Sequence, residues 1–144
     1  MREILFKAKR IDNREWVEGN IILSKDADEE YKAIIIPSVN SNMFTKDSCD
    51  KDLGFENWYK VDPSTICQYT GLTDKNGQKI WENDVVNCFE AECCGKISWN
   101  ESEAGFYFDV LLEDGTYEEE HIYDYADCME VIGNIFDNPE LINE

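Results

Sequence analysis

Histidine and proline are scarce in this chain. Among 144 residues there is one histidine, His121, and there are three prolines. A single imidazole excludes the paired-histidine helix of a zinc hydrolase. The glycine-rich loops that cradle phosphates are missing, and so is the Gly-x-Ser-x-Gly elbow of a serine hydrolase. Long apolar runs are missing as well. The longest candidate, "AIIIP" at residues 33–37, falls far short of the ~18 residues of a membrane helix. The first apolar run, residues 4–6, is too short for the core of a secretory signal and leads into Lys7, Lys9 and Arg10. These absences point to a soluble, cytoplasmic protein with no membrane partner.

The six cysteines, at positions 49, 67, 88, 93, 94 and 128, include no Cys-x-x-Cys pair. Structural zinc takes paired ligands a few residues apart, so a zinc centre is not expected. Cys93 and Cys94 are adjacent and could bridge each other only with strain. With no export signal, thiols rather than disulfides are expected.

Basic residues are scarce in one half only. Residues 73–144 hold 19 Asp and Glu against 3 Lys and Arg, whereas residues 1–72 hold 13 against 10. The C-terminal half therefore carries most of the net charge of −19. Such a surface repels phosphate backbones, which makes direct nucleic-acid binding there an unfavourable reading. It suits a basic protein partner, bound cations or solubility. What is present supports a folded body. The hydrophobic fraction of 42% and aromatic fraction of 12% supply a core at a length that suits one compact unit.

The pattern along the chain is mainly β. "REILFKAKRIDNREWVEGNIIL" reads as a hairpin turning at Asp12-Asn13, with Gly19-Asn20 marking a bulge or second bend in the return strand. "YKAIIIP" reads as a short buried strand ended by Pro37. Residues 38–62 are polar and irregular, with Met43, Phe44, Phe55, Trp58 and Tyr59 available to pin the stretch to the body. From Asp84 onward, "DVVNCF", "GKISWNE", "GFYFDVLL", "GTYEEEHIY" and "MEVIGNIFD" are five short strands, whose count and spacing predict an SH3-like barrel. Only "YDYADC" and "NPELINE" invite a helical turn. The expected organisation is an N-terminal β subdomain over 1–66, with an irregular loop at 38–60, and a signature hairpin plus barrel over 67–144. Trp99, Phe106, Tyr107 and Tyr117 are the aromatics available to a groove between the barrel's loops, although core and rim positions also suit them.

"GLTDKNGQKIWENDVV", residues 71–86, has the look of a calcium loop. An EF-hand needs ligands at positions 1, 3 and 5, glycine at 6 and glutamate at 12. Starting at Asp74 puts Gly77 at position 4 and Val85 at 12; placing Gly77 at position 6 puts Leu72 first and Asn83 last. Neither register makes a cage. Asn76-Gly77 between two apolar stretches reads instead as a hairpin turn.

These residues also carry a resemblance. "VDPSTICQYTGLTDKNGQKIWENDVV" closely resembles the central signature of the YopX family, in which Gln68, Tyr69, Thr70, Gly71 and Leu72 are followed by Asp74, Lys75, Asn76, Gly77 and Asp84. "MREILFKAKR" and "MEVIGNIFDNPELI" resemble the family's two ends. The pattern has glycine where this chain has Asn83, and asparagine also tolerates the left-handed region. Residues 38–59 and the Cys93-Cys94 pair match nothing in the family pattern. The resemblance implies a small protein of phages and prophages in a bacterial host, with no established biochemical activity.

Candidate chemistry is thin. Glu119 and His121 lie two positions apart on one strand, an acid-base pair in want of a nucleophile. Cys88, Cys93 and Cys94 sit beside Glu90 and Glu92, which disfavour a reactive thiolate. Cys67 and Cys128 have apolar strand contexts and are expected in the core. The acidic run from Glu113 to Asp127 alternates along a strand, which sends Glu118 and Glu120 to one face and Glu119 to the other. No catalytic, metal or cofactor residue is assigned, and Gln68, Tyr69, Thr70, Gly71, Leu72, Asp74, Asn76, Gly77 and Asp84 are read as structural. The expected function is a non-enzymatic macromolecule-binding module with a protein partner, a basic one being suited to the acidic half. The alternatives are an acidic DNA mimic with carboxylates in two rows that follow the ~7 Å phosphate-to-phosphate step, self-association through an edge strand or an exposed aromatic patch, and an enzyme using His121 and Glu119.

Overall fold

The computed structural model describes residues 3–28, 31–38, 43–45, 53–55, 57–88, 93–111 and 117–142. Two compact units divide the chain, Glu3–Gln68 and Tyr69–Glu144. Antiparallel strands dominate both, and among the described residues helix is confined to short 3-10 turns.

In the first unit, strands β1 (Phe6–Lys9) and β2 (Trp16–Leu23) form the expected hairpin, with Phe6 opposite Gly19 and Lys9 opposite Trp16. The turn passes through Asp12 and Asn13 and closes at Arg14, in the left-handed region at φ 61°. The Arg14 guanidinium donates to Asp62 Oδ2 at 3.0 Å, while Asp62 Oδ1 caps the 3-10 turn Pro63–Thr65 by accepting from Ser64 N. The Ser64 hydroxyl, opposed by some burial and helped by the Ser64 N–H and Arg14, holds the Asp62 carboxyl below its usual range. Strand β3 (Ala33–Pro37) pairs with β2 without interruption from Gly19–Pro37 to Leu23–Ala33. The bulge expected at Gly19-Asn20 is therefore absent. Glycine stands there because a Cβ would lie 2.0 Å from the Ile36 carbonyl oxygen of the neighbouring strand.

Residues 38–62 are not wholly irregular. β4 (Met43–Thr45) and β5 (Leu53–Phe55) pair with each other, and β6 (Tyr59–Lys60) joins β3. Strands of two or three residues are too short to show alternation in a sequence. Cys49 and most of the 38–60 loop lie outside the described residues. β7 (Cys67–Thr73) pairs Cys67 and Gln68 with Lys7 and Phe6, giving the order β6-β3-β2-β1-β7. Ala8, Ala33, Ile35 and Val61 form the buried core of this unit, with Val17, Ile21 and Ile66 packed on it.

The second unit takes in the rest of β7 and then β8 (Lys79–Trp81), β9 (Asp84–Cys88), β10 (Cys93–Asn100), β11 (Gly105–Leu111), β12 (Tyr117–His121) and β13 (Met129–Asn134). The five segments expected after Asp84 are thus all strands, and they form one antiparallel sheet in the order β12-β11-β10-β9-β13. β12 and β13 occupy opposite edges, and no described sheet closes into a barrel. The SH3-like barrel reduces to an open five-stranded sheet. Between those edges the chain must span four strand spacings, about 19 Å. It does so with the 3-10 turns Ile122–Asp124 and Ala126–Cys128. Ile122 and Ala126 join Ile80, Val86, Ile97, Phe108 and Met129 in the core. Cys128, expected on a strand, ends the second of these turns and is only partly buried.

The tight connection between β10 and β11 places Ala104 at φ 52°. Ala104 is exposed, so the left-handed backbone carries its steric cost with no packing in return. Ala104→Gly is expected to raise stability by about 1 kcal/mol. A thermal melt should show a midpoint higher by about 3 °C; a lower midpoint would contradict the left-handed turn.

Candidate functional site

The signature stretch is a hairpin. β7 and β8 pair Tyr69 with Trp81 and Thr73 with Lys79, with an irregular register between them where Gly71 takes φ 88°. The Thr70 hydroxyl bridges that irregularity, donating to Ile80 O at 2.7 Å and accepting from Leu72 N. Tyr69 and Trp81 pack with ring centroids 5.6 Å apart. In the turn, Gly77 N donates to Asp74 O, and Gly77 alone of the Asn76-Gly77 pair has positive φ, at 81°. This is a three-residue hairpin loop of the kind that ends in a left-handed glycine.

Asp74 is the centre of that loop. Its side chain is buried, and its Oδ1 accepts from Asn76 N and Gln78 N, both at 2.9 Å. Oδ2 accepts from Val131 N at 3.0 Å, which ties the loop to β13. Burial pushes the carboxyl up, but the three backbone donors and Lys75 outweigh it and hold it below the usual range. Downstream, Asp84 Oδ2 accepts from Trp81 N at 2.8 Å, and Asn83 sits at φ 71°. Asparagine therefore does occupy the left-handed position where the family pattern has glycine. Gln68, the first residue of the signature, lies at the end of the first unit, where it pairs with Phe6.

Cross-strand register sorts the five-stranded sheet into two faces, since directly opposed residues point the same way. Ile97 with Phe108, and Trp99 with Phe106, lie on the core face. Tyr107 lies on the other, so Trp99, Phe106 and Tyr107 do not line one groove; the side chain of Tyr117 is outside the described residues. The outer face carries two cross-strand rows. One is Ser98, Tyr107 and His121; the next is Lys96, Asp109 and Glu119.

In the first row the Tyr107 hydroxyl and His121 Nε2 are 3.0 Å apart, and the two rings lie 4.3 Å apart at 36°. Burial, with Glu103 and Glu119 nearby, pushes the phenol above its ordinary value. Which of the two donates depends on the imidazole tautomer. Glu119 shares this face but accepts from Asn100 Nδ2 at 2.8 Å. Ser98 stands two strands from His121, roughly 9.6 Å away. Cys88 and Cys128 belong with the core face, and Cys94 Sγ lies 3.7 Å from Asn87 Oδ1. Glu119 and His121 are thus brought to one face, but each is engaged by a neighbour other than the expected one. In the second row, Asp109 Oδ1 is buried and has no hydrogen-bond partner among the described residues. A buried carboxylate oxygen left bare is uncommon and invites a donor.

The sequence points to Glu119 and His121, and to Tyr107 only as a groove aromatic; it does not point to the pairing of Tyr107 with His121, nor to Asn100 or Asp109. The missing signal was register, which depends on the lengths of the β10–β11 and β11–β12 loops. Among the described residues no three His, Cys, Asp or Glu are grouped to hold a metal ion, and no helix is long and apolar enough to cross a membrane. Glu113 and Asp114 of the acidic run lie outside the described residues.

The chain is matched over residues 5–143 by a family model described as YopX protein. No curated protein matches it. Among solved structures it is similar to the crystal structure of protein EF1440 from Enterococcus faecalis. The TM-score is 0.63 at 23% sequence identity, covering 99% of this chain and 100% of that one. At that identity the likeness concerns the fold.

Proposed function

The chain belongs to the YopX family, and from that premise we propose that it is a non-enzymatic binding module, encoded by a phage or prophage and acting in the host cytoplasm. Its partner is a protein with an exposed basic segment, received on the outer face of the five-stranded sheet. The observation that carries this reading is the bare, buried Asp109 Oδ1 set in register beside Glu119. A guanidinium or ammonium group that displaces the side chains covering Asp109 Oδ1 supplies the donor that this one oxygen lacks. In the adjoining row the exposed His121 ring packs on the buried ring of Tyr107. The acidity of residues 73–144 favours encounter with such a partner.

Affinity capture from a bacterial lysate, with wild-type protein and an Asp109→Asn/Glu119→Gln variant side by side, tests the reading. A basic protein retained by the wild type at low salt, weakened as salt rises and lost from the variant, is the expected result. Identical capture by both proteins would overturn it.

One observation favours a DNA mimic as a second reading. Glu118 and Glu120 occupy alternate positions of edge strand β12, about 6.8 Å apart, close to the phosphate step. Competition by duplex DNA for the captured partner separates the two readings. Recovery of nothing but copies of this chain favours self-association through a sheet edge instead.

A further inference from the structure

Cys88 and Cys128 are 40 positions apart in sequence, yet their Sγ atoms are 3.7 Å apart. Neither is in a disulfide. At that distance the sulfurs are in contact, and a bond of about 2.0 Å needs a closure of about 1.7 Å, within reach of side-chain rotation. The backbone supports it. Cys88 ends β9 directly opposite Met129, the first residue of β13, and Cys128 immediately precedes Met129. The two thiols are also unequal. Cys88 is completely buried, whereas Cys128 is partly open to solvent and donates its S–H to Tyr125 O at 3.0 Å.

We infer that Cys88 and Cys128 form a dithiol site which low-molecular-weight disulfides oxidise to an intramolecular disulfide. Cys128, the sulfur that solvent reaches, loses its proton and attacks one sulfur of the small disulfide, expelling the other half as a thiolate. Cys88 then gives up its proton and attacks the Cys128 sulfur of the mixed disulfide, expelling the second half. Two protein thiols and one small disulfide become one protein disulfide and two small thiols, with the protons passing to the departing thiolates. The order follows from access, because Cys88 is fully buried and already touches the Cys128 sulfur, which solvent reaches. The product staples the end of β9 to the turn that feeds β13. This site lies behind the sheet and is independent of the outer face on which the partner reading rests.

The test uses the full chain and oxidised glutathione. After alkylation, cleavage at glutamates isolates Cys88 in residues 83–90, Cys93 and Cys94 in 93–101, and Cys128 in 121–130. The expected result is a cross-link between 83–90 and 121–130 in a monomer, with two thiols lost at that site. The melting midpoint should rise by about 10 °C and fall back with reductant. Cys88→Ser should stop the reaction at glutathione bound to Cys128, and Cys128→Ser should leave Cys88 unreacted. A cross-link from Cys88 to the 93–101 peptide would overturn the inference. So would a stable glutathione adduct on Cys128 of the wild type, or no loss of these two thiols.

Discussion

Asp74→Ala is expected to destabilise the C-terminal unit by about 4 kcal/mol. The substitution orphans three backbone N–H groups at once, those of Asn76, Gln78 and Val131, in a buried setting. Each hydrogen bond to a charged acceptor is worth roughly 1.5–3 kcal/mol, and bonds to one carboxylate are not fully additive. Against a total stability on the order of 5–15 kcal/mol, that loss is large. Urea denaturation followed by tryptophan fluorescence measures it, and a cost below about 1 kcal/mol would contradict the role assigned to the clasp. Asp74→Asn should fall between the two proteins. Its amide oxygen can still accept from Asn76 and Gln78, but its NH2 group then faces the Val131 N–H. The pH dependence has a fixed sign. Because the fold lowers the Asp74 carboxyl below its ordinary value, its contribution is complete above that value and is lost as pH falls through the folded one. The stability gap between wild type and Asp74→Asn should therefore close on acidification. Asp62 is shifted the same way in the other unit, so this difference, rather than the acid limb of the wild type alone, isolates Asp74.

Gly19→Ala is expected to cost about 3 kcal/mol in the N-terminal unit. Ordinary strand preference argues for the opposite sign, since alanine in place of glycine reduces the entropy lost on folding. Close approach decides the matter. A Cβ at Gly19 would stand 2.0 Å from Ile36 O, 2.7 Å from Ile36 C and 2.9 Å from Pro37 Cα. All three are backbone atoms of β3, which cannot rotate aside as a side-chain tip can. Relief requires β3 to draw away from β2, weakening the ladder from Gly19–Pro37 to Leu23–Ala33. Thermal unfolding with amide exchange at Ile34–Ile36 reads both the cost and its location. A stabilised variant would mean that the strands are farther apart than described.

Much of the strand pattern was legible because alternation is strong where one face of a sheet is buried. Phe106, Phe108 and Val110 on β11, or Val86 and Cys88 on β9, announce themselves in this way. Asn76-Gly77 was legible as a turn because few residue pairs accept its geometry. Other features depended on distance rather than local chemistry. Gly19 looked like a bulge because glycine weakens a strand in either case, and only the neighbouring carbonyl distinguishes a bulge from a close approach. The barrel was read from strand count, whereas closure depends on which strands meet at the edges. Asp74 could be seen as a turn residue, but its third bond goes to Val131, 57 positions away. Glu119 and His121 were correctly placed on one face by period-two reasoning. Their actual neighbours, Asn100 and Tyr107, come from other strands and follow only from register.

That separation between Asp74 and Val131 also sets an order of events during synthesis. The signature hairpin can close its own turn as soon as Gln78 exists, because Asn76 and Gln78 are local donors. The third donor, the Val131 N–H, must wait for 53 residues beyond Gln78. At typical elongation rates of about 5–20 residues per second, the delay is roughly 3–11 s. For that interval the newborn hairpin holds only two of its three backbone bonds at Asp74, and β9, which must accept β13 as its neighbour, has an open side. The loop bond that secures the unit thus forms only after β13 has been made.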